Sequence, residues 1–290
     1  MVTTTLDSKM KRFLVAIFAS VLLMFSCTGN KTQRAEEPQA DSVADTVVES
    51  TPIDSLEQML VEAPTPKAMD ELFDDFVFNF AANKELQLTR VVFPLVVHKS
   101  GEEEAHIEKG QWKSEHFFMR QGYYTLFFDN DEQMEMMKDT AVNHAVVEKI
   151  LLKKDLIRDY VFSRIRGAWM LHEINEMPIS ESVNASFLNF YQRFVTDKAF
   201  QQKSLNATVK FVGPDPDDDF SVMEGVITPD TWEAFAPQLP SKTIYNIIYG
   251  QSEPTSNQKI FIMRGIANGL EMELRFKKIG NRWLLMKMTT

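Results

Sequence analysis

The residues with the most versatile chemistry in this chain are five histidines: His98, His106, His116, His144 and His172. None of them occurs in the His-Glu-x-x-His spacing that places two metal ligands on one helix face. The chain also lacks glycine-rich phosphate loops and the nucleophile elbow of serine hydrolases. The sequence therefore predicts no metal site and no cofactor.

Two carboxylates at equivalent positions, Asp159 and Glu273, are candidates for general acid–base chemistry. An acid of this kind must point into an apolar pocket, where burial raises the carboxyl pKa. Glu273, however, belongs to the polar set of an alternating strand between Leu270 and Lys277. This pattern favours a solvated face for both carboxylates. We therefore predict no catalytic residues, which favours a function other than catalysis.

A run of acids and a group of methionines are candidates for binding. The acids are Asp215, Asp217, Asp218 and Asp219. Calcium prefers such oxygens, but the EF-hand spacing and its closing Glu are absent, which favours a solvated loop. Methionine side chains suit adaptable binding surfaces. We predict a ligand or partner contact at Met134, Met136 and Met137, with Met119 nearby; the alternative is that this loop packs on its own domain.

These residues are positioned by an internal repeat with an offset of 114 residues. The matches are Phe73/Phe187, Phe76/Phe190, Phe80/Phe194, Lys84/Lys198, Phe162/Phe276, Ile165/Ile279, Trp169/Trp283 and Leu171/Leu285. In the middle the offset is 120, where Ile107 and Trp112 match Ile227 and Trp232. The histidines, the acidic run and the methionine group are not repeated. We therefore expect any specific activity in the unshared residues.

Each copy is predicted to begin with an amphipathic helix and to continue as a curved antiparallel sheet. Phenylalanines at three-to-four spacing mark the two helices. The segment Tyr123 to Phe128 corresponds to Ile244 to Tyr249, and Asn268-Gly269 predicts a hairpin turn. We predict an α+β fold with one domain at residues 67–178 and a second at residues 179–290.

This order of elements resembles the nuclear transport factor 2-like superfamily of cone-shaped α+β domains, in two tandem copies. The whole chain is also similar to an uncharacterised family of bacterial lipoproteins with a domain of unknown function. A cystatin-like helix on a sheet is the nearest rival fold. The superfamily resemblance implies a pocket inside each cone, in which its isomerase-like and dehydratase-like enzymes carry an Asp, His or Tyr.

The first 27 residues predict a bacterial lipoprotein signal peptide. Three basic residues precede an apolar run from Phe13 to Phe25, which is too short to span a membrane. Leu23 to Cys27 resembles a lipobox, whose cysteine is lipidated, and Cys27 is the only cysteine. An ordinary secretory signal is the alternative. Residues 28–66 are acidic and poor in aromatic residues, which predicts a flexible tether.

The formal net charge of −10 and the absence of a basic stripe argue against nucleic acid as a partner. We therefore predict a lipid-anchored protein of the bacterial cell envelope, at the outer membrane, with its domains in the periplasm or at the cell surface. Its predicted function is non-catalytic binding of a small apolar ligand or of an envelope protein. An enzyme of the isomerase or dehydratase type is the alternative.

Overall fold

Two six-stranded sheets carry the fold in a computed structural model of the chain. The structure describes residues 67–215, 217–250 and 256–290, with the backbone alone at residues 67, 219 and 220. The strands are β1 (Val91–Lys99), β2 (Glu102–Ile107), β3 (Tyr123–Phe128), β4 (His144–Leu151), β5 (Leu156–Ile165), β6 (Ala168–Pro178), β7 (Leu205–Asp215), β8 (Asp218–Ile227), β9 (Thr243–Tyr249), β10 (Gln258–Gly265), β11 (Glu271–Ile279) and β12 (Arg282–Thr289).

Helices are short and lie mainly at the start of each repeat. The α-helices are α1 (Phe73–Ala82), α2 (Lys84–Arg90), α3 (Asp131–Glu135), α4 (Ala185–Thr196), α5 (Lys198–Lys203) and α6 (Trp232–Phe235). Short 3-10 helices occupy Lys67–Asp70, Lys109–Gln111, Phe117–Arg120, Met136–Lys138, Leu152–Lys154 and Ile179–Glu181. None of the helices among the described residues is long and apolar enough to cross a membrane. The predicted signal peptide, Cys27 and the tether lie outside the described residues.

Each repeat begins with two helices that meet at a sharp break. Asn83 caps the start of α2, because its Oδ1 accepts a hydrogen bond from the backbone N–H of Leu86 at 3.0 Å. The equivalent residue, Asp197, accepts from the N–H of Phe200 at 2.9 Å at the start of α5. Side-chain oxygens at these positions satisfy backbone donors that the helix leaves unpaired. The repeated cap therefore ends α1 and α4 at the same place.

The two sheets have the same architecture. Their strand orders are β2-β1-β6-β5-β4-β9 and β8-β7-β12-β11-β10-β3. The pairs β1–β6 and β7–β12 are parallel and the other pairs are antiparallel. The predicted α+β class, with an N-terminal helix on a sheet in each copy, is confirmed. The predicted antiparallel sheet is in fact mixed, because the first strand of each repeat runs parallel to the last strand of the same repeat.

The third strand of each repeat is exchanged between the two sheets. Strand β3 pairs with β10 of the second sheet, and β9 pairs with β4 of the first. The exchanged strands touch where the hydroxyl of Thr125 donates to the carbonyl oxygen of Tyr245 at 2.6 Å. The exchange crosses the predicted boundary between residues 178 and 179. The division into domains at residues 67–178 and 179–290 stays a prediction.

The pairing registers show how the exchanged strands correspond. Glu148 of β4 pairs with Asn246, whereas its equivalent Ile262 of β10 pairs with Leu126. Leu126 and Asn246 are therefore equivalent, and the offset of 120 extends through this strand. The predicted match of Tyr123 to Phe128 with Ile244 to Tyr249 is wrong by one residue.

The helix and the sheet of each repeat enclose an aromatic core of the same geometry. The ring centroids of Phe73 and Phe162 lie 5.3 Å apart at 62°, and those of Phe187 and Phe276 repeat both values. Phe80 meets Phe162 at 5.3 Å, and their equivalents Phe194 and Phe276 lie 5.4 Å apart. Edge-to-face contacts of this kind stabilise the core beyond simple burial. The phenylalanine stripes therefore fill the two cones.

Candidate functional site

A buried acidic pair lies on the face of the first sheet opposite α1. Glu148 of β4 pairs with Asp159 of β5. Their sequence neighbours Val147 and Tyr160 belong to the core around α1. Because side chains alternate along a strand, the two carboxylates point to the other face. Asp159 is partly buried and its Oδ1 is enclosed, so the predicted solvated face is wrong for this residue. Ile150 and Ile157 on the same face belong to the core around α4 of the second repeat, which covers this face of the sheet.

Asn246 of the exchanged strand β9 fixes one of the two carboxylates. Its amide nitrogen donates to Glu148 Oε2, and its amide oxygen accepts from the backbone N–H of Phe127 at 2.7 Å. Glu148 and Asn246 are both buried. Oδ1 of Asp159 is also buried, but it has no hydrogen-bond partner. The pair therefore contains one satisfied and one unsatisfied carboxyl group.

Burial gives this pair an unusual affinity for protons. Loss of water around Asp159 and, to a lesser extent, the nearby Glu148 carboxylate together raise the pKa of the Asp159 carboxyl to about 8. Burial also raises the pKa of Glu148, against the hydrogen bond from Asn246 and the charge of Lys259. Two adjacent carboxyls in low dielectric cannot both ionise at neutral pH. The pair therefore holds a proton at neutral pH and is chemically able to donate it.

The second repeat does not reproduce this polar row. Leu126 and Ile262 occupy the positions of Asn246 and Glu148. Glu273, at the position of Asp159, is paired with Arg275, whose Nε lies 2.6 Å from Glu273 Oε1. Neither Glu148 nor Asp159 lines the grooves found near the helices. The acidic pair is thus specific to the first repeat and enclosed by protein.

A small polar crevice lies where the two repeats meet. Lys259 of β10 is buried and forms an ion pair with Asp129. Its ammonium group also donates to Asn184 Oδ1 at 2.6 Å. The crevice beside these residues has a volume of about 40 Å³. That volume suits one or two water molecules rather than an organic ligand.

The mouth of the first cone is closed by aromatic side chains. Trp112 is held by Gln87, whose Oε1 accepts from the indole nitrogen at 3.2 Å. Beyond Trp112, Phe117 stacks on Phe80 with ring centroids 6.1 Å apart. Phe117 is 4% exposed and Phe118 is fully buried. The two phenylalanines therefore plug the space below α2.

The mouth of the second cone is open. Trp232 is held by Gln201, the equivalent of Gln87, at 3.0 Å. Pro237 and Gln238 stand where the first repeat has Phe117 and Phe118. A groove of about 770 Å³ remains, lined by Val195, Lys198, Ala199, Gln201, Gln202, Pro229, Trp232, Glu233, Ala236, Pro237, Gln238 and Leu239. Apolar and polar side chains share its lining about equally, and a concave surface with both kinds of group can hold a ligand.

A second groove in this repeat replaces a buried ion pair of the first. In the first repeat Arg90 Nη1 lies 2.8 Å from Asp70 Oδ1, and both side chains are buried. Ser204 and Asn184 occupy their positions in the second repeat. A groove of about 590 Å³ opens there, lined by Ser186, Phe190, Phe200, Lys203, Ser204, Asn281, Arg282 and Trp283. The second repeat thus carries two open grooves.

Comparison with known proteins places the chain in a family. The family described as Domain of unknown function (DUF4348) matches residues 52–290. The chain belongs to this family. It is similar to an NTF2-like protein from Bacteroides fragilis NCTC 9343, whose crystal structure matches with a TM-score of 0.70 at 40% sequence identity. The match covers 78% of this chain and 98% of that chain. No curated protein matches the sequence.

The likeness to the B. fragilis protein confirms the predicted nuclear transport factor 2-like fold. The family name gives no activity, so the function must be argued from the geometry of this DUF4348 chain. Among the residues that the structure describes, no three or more His, Cys, Asp or Glu side chains are arranged to hold a metal ion.

Two of the five histidines come together in the first sheet, which the sequence alone did not indicate. Ser163 Oγ lies 2.9 Å from His172 Nε2 and 3.4 Å from His144 Nδ1. A nucleophilic serine also requires a group that orients its histidine. Glu173 Oε2 lies 4.0 Å from His172 Nδ1, so it does not form that hydrogen bond. This cluster is therefore not a catalytic triad.

The methionine group packs against the first core. Met137 is buried, while Met119, Met134 and Met136 are partly buried against the same cluster. Much of their apolar surface is thus used within the fold, and their predicted role in binding stays a prediction.

The acidic run forms the turn between β7 and β8. Asp215 pairs with Asp218 across the hairpin, and Asp215 Oδ1 accepts from the N–H of Asp217 at 2.9 Å. The predicted solvated loop is confirmed for Asp217 and Asp218, which are exposed; the side chain of Asp219 lies outside the described atoms.

Proposed function

We propose that this DUF4348 chain is a non-catalytic binding protein whose ligand site is the open mouth of the second cone. The observation that carries the proposal is the contrast between the two mouths. Phe117 and Phe118 fill one, while Pro237 and Gln238 leave the other as a groove of about 770 Å³. Duplicated positions that differ in this way indicate that one copy stabilises the fold and the other binds.

The lining of the groove defines the ligand. Val195, Ala236 and Leu239 are only partly buried and supply apolar surface, and burying such surface drives association. Lys198 and Glu233 lie on the rim as an exposed ion pair at 3.2 Å, so they neutralise one another. The proposed ligand is therefore a neutral apolar molecule, or the apolar side chain of an envelope protein that enters the groove.

A pair of matched variants tests the site. The neutral dye N-phenyl-1-naphthylamine is expected to bind the full chain saturably. Ala199→Phe would fill the groove and weaken binding at least about tenfold, which corresponds to ~1.4 kcal/mol. Glu85→Phe, at the equivalent exposed position beside the plugged mouth, is the control and should leave affinity unchanged. Equal affinity in all three proteins would place the dye elsewhere and overturn the proposed site.

Native mass spectrometry of the protein purified from its own membranes tests the function itself. A co-purified small molecule or envelope protein that Ala199→Phe removes would support the proposal. If the wild-type chain carries neither a small molecule nor an envelope protein, this outcome contradicts the proposed function, whatever the result with the dye.

We further propose that lipid on Cys27 anchors the chain in the bacterial cell envelope, with residues 28–66 as a tether. The support is the lipobox-like segment Leu23 to Cys27 and the position of the only cysteine. Cys27→Ala should transfer the protein from the membrane fraction to the soluble fraction. Retention of the variant in membranes would refute lipid anchoring at this residue.

A further inference from the structure

The two outer edge strands, β2 and β8, occupy equivalent places in the two sheets but present different surfaces. His106 of β2 pairs with Val96, and its equivalent Val226 of β8 pairs with Lys210, the equivalent of Val96. Among the described residues each of the two strands has a partner on one side only. An unpaired strand edge is a template for pairing with another chain.

Strand β2 is protected against such pairing. It carries three consecutive exposed acids, Glu102, Glu103 and Glu104. Its register with β1 also shifts between Val97 and His98, which marks a bulge or irregularity. Charges and bulges are the usual means by which sheet proteins block their edges.

Strand β8 has an apolar surface instead. Val222 is 67% exposed, Val226 is 62% exposed and Met223 is 42% exposed. The strand pairs regularly with β7 from Val209↔Ile227 to Pro214↔Val222, and its register shifts only beyond this segment, between Pro214 and Asp215. A regular, exposed and apolar strand edge tends to pair with other chains. Because the equivalent strand β2 is protected and β8 is not, the contrast indicates that the β8 edge is an interaction surface.

We propose that β8 is a self-association site, at which it pairs antiparallel with β8 of a second copy of this chain about a two-fold axis at Glu224. In this register Val222 of each copy lies beside Val226 of the other, on the outer face. Met223 of each copy lies opposite Gly225 of the other, on the inner face. A side chain added at Gly225 would meet nothing within 4 Å, so space is present for Met223. The segment Val222 to Val226 is therefore self-complementary in shape.

Charge complementarity also favours a second copy. The two Glu224 side chains face each other at the axis, but each brings its own cation, because Lys210 Nζ lies 3.0 Å from Glu224 Oε1. Within Val222 to Val226 the two edges thus carry two anions and two cations, since Asp218 and Asp219 lie at the start of the strand, outside this segment. The equivalent segment of β2, Glu102 to His106, would bring three acids from each copy together, with Lys99 beside Glu104 as a nearby cation. Because like charges on paired strands repel, β8 is better suited to self-pairing than β2.

The contact is small. Tight complexes bury ~1,200–2,000 Å², which exceeds what one strand pair covers. The dissociation constant is therefore expected on the order of micromolar.

Cysteine cross-linking tests both the partner and the register. In the full chain carrying Cys27→Ala, Glu224→Cys places the only thiol at the two-fold axis, where it meets its own counterpart. Mild oxidation should produce a disulfide-linked species of twice the 33.4 kDa chain mass. Glu104→Cys, at the equivalent site on β2, is the control. Cross-linking of Glu224→Cys no faster than that of Glu104→Cys would overturn the proposal.

Sedimentation equilibrium provides a second measurement without oxidation. Val226→Lys should raise the dimer dissociation constant at least about tenfold by placing a charge on the edge. His106→Lys, at the equivalent position, should leave it unchanged. Both sites are exposed, so both variants are expected to fold. A monomer at all concentrations, or a dimer insensitive to Val226→Lys, would contradict the proposal, as would attachment of a different protein to this edge.

Discussion

Asp159 holds a proton at neutral pH because the second repeat removes water from its carboxyl group. Its pKa of about 8 lies above the ordinary value for an aspartic acid. The folded chain therefore binds more protons than the unfolded chain between about pH 4 and pH 8. The contribution of Asp159 to stability is fully present below this window and is lost as the pH rises through it.

We predict that Asp159→Asn removes much of this pH dependence. The free energy of unfolding of the wild-type chain should fall between about pH 4 and pH 8, and the variant should be the more stable of the two at pH 9 by ~2 kcal/mol. Denaturant unfolding at a series of pH values measures both. Glu273→Gln is the control, because Glu273 is paired with Arg275 and its pH profile should follow that of the wild type. Parallel profiles for Asp159→Asn and the wild type would contradict the burial argument.

Strands β4 and β9 are joined by the polar pair Glu148 and Asn246, whereas β10 and β3 have the apolar pair Ile262 and Leu126 at the equivalent positions. We predict that Asn246→Leu alone costs about 2–3 kcal/mol of unfolding free energy, because it removes the donor to buried Glu148. The double variant Glu148→Ile with Asn246→Leu reproduces the Ile262 and Leu126 pair of the other sheet. It should recover most of the loss, since an apolar pair needs no hydrogen bond.

A double-mutant cycle measured by chemical denaturation gives the coupling between positions 148 and 246. A coupling near zero, with additive losses, would show that the amide and the carboxylate do not depend on one another. Asn246→Asp serves as the matched test of charge: it should be more destabilising at high pH than at low pH, because a second carboxylate would then face Glu148.

Elements whose pattern is local could be predicted from the sequence. The helices at Phe73 and Phe187 follow from three-to-four spacing, and the two tryptophan pairs follow from the repeat. The exchange of β3 and β9 could not be predicted, because either partner strand would bury the same alternating side chains. Alternation likewise shows that Asp159 lies opposite the α1 face, but not that the other repeat covers it. The open mouth at Pro237 and Gln238 could not be predicted either, because no local pattern shows that these residues leave a groove where Phe117 and Phe118 fill the first cone.

The molecule as a whole is interlocked by the exchanged strands, so neither repeat contains a complete sheet. Phe127 of the first repeat packs on Phe187 and Phe261 of the second, with ring centroids 5.6 Å and 5.4 Å away. In return, Tyr249 of the second repeat donates a hydrogen bond to Asp74 of the first. Separation of the repeats would expose these side chains and leave the edges of β4 and β10 unpaired.

We therefore predict that fragments 67–178 and 179–290 do not fold independently. Each fragment alone should lack a cooperative unfolding transition by circular dichroism, because its exchanged strand has no sheet to join. Mixing equal amounts should restore the helical and sheet signal and yield a one-to-one complex by light scattering. The complex should be less stable than the intact chain, since association now costs translational entropy. A cooperative transition in either isolated fragment, at the denaturant midpoint of the intact chain, would show instead that the sheets close without exchange.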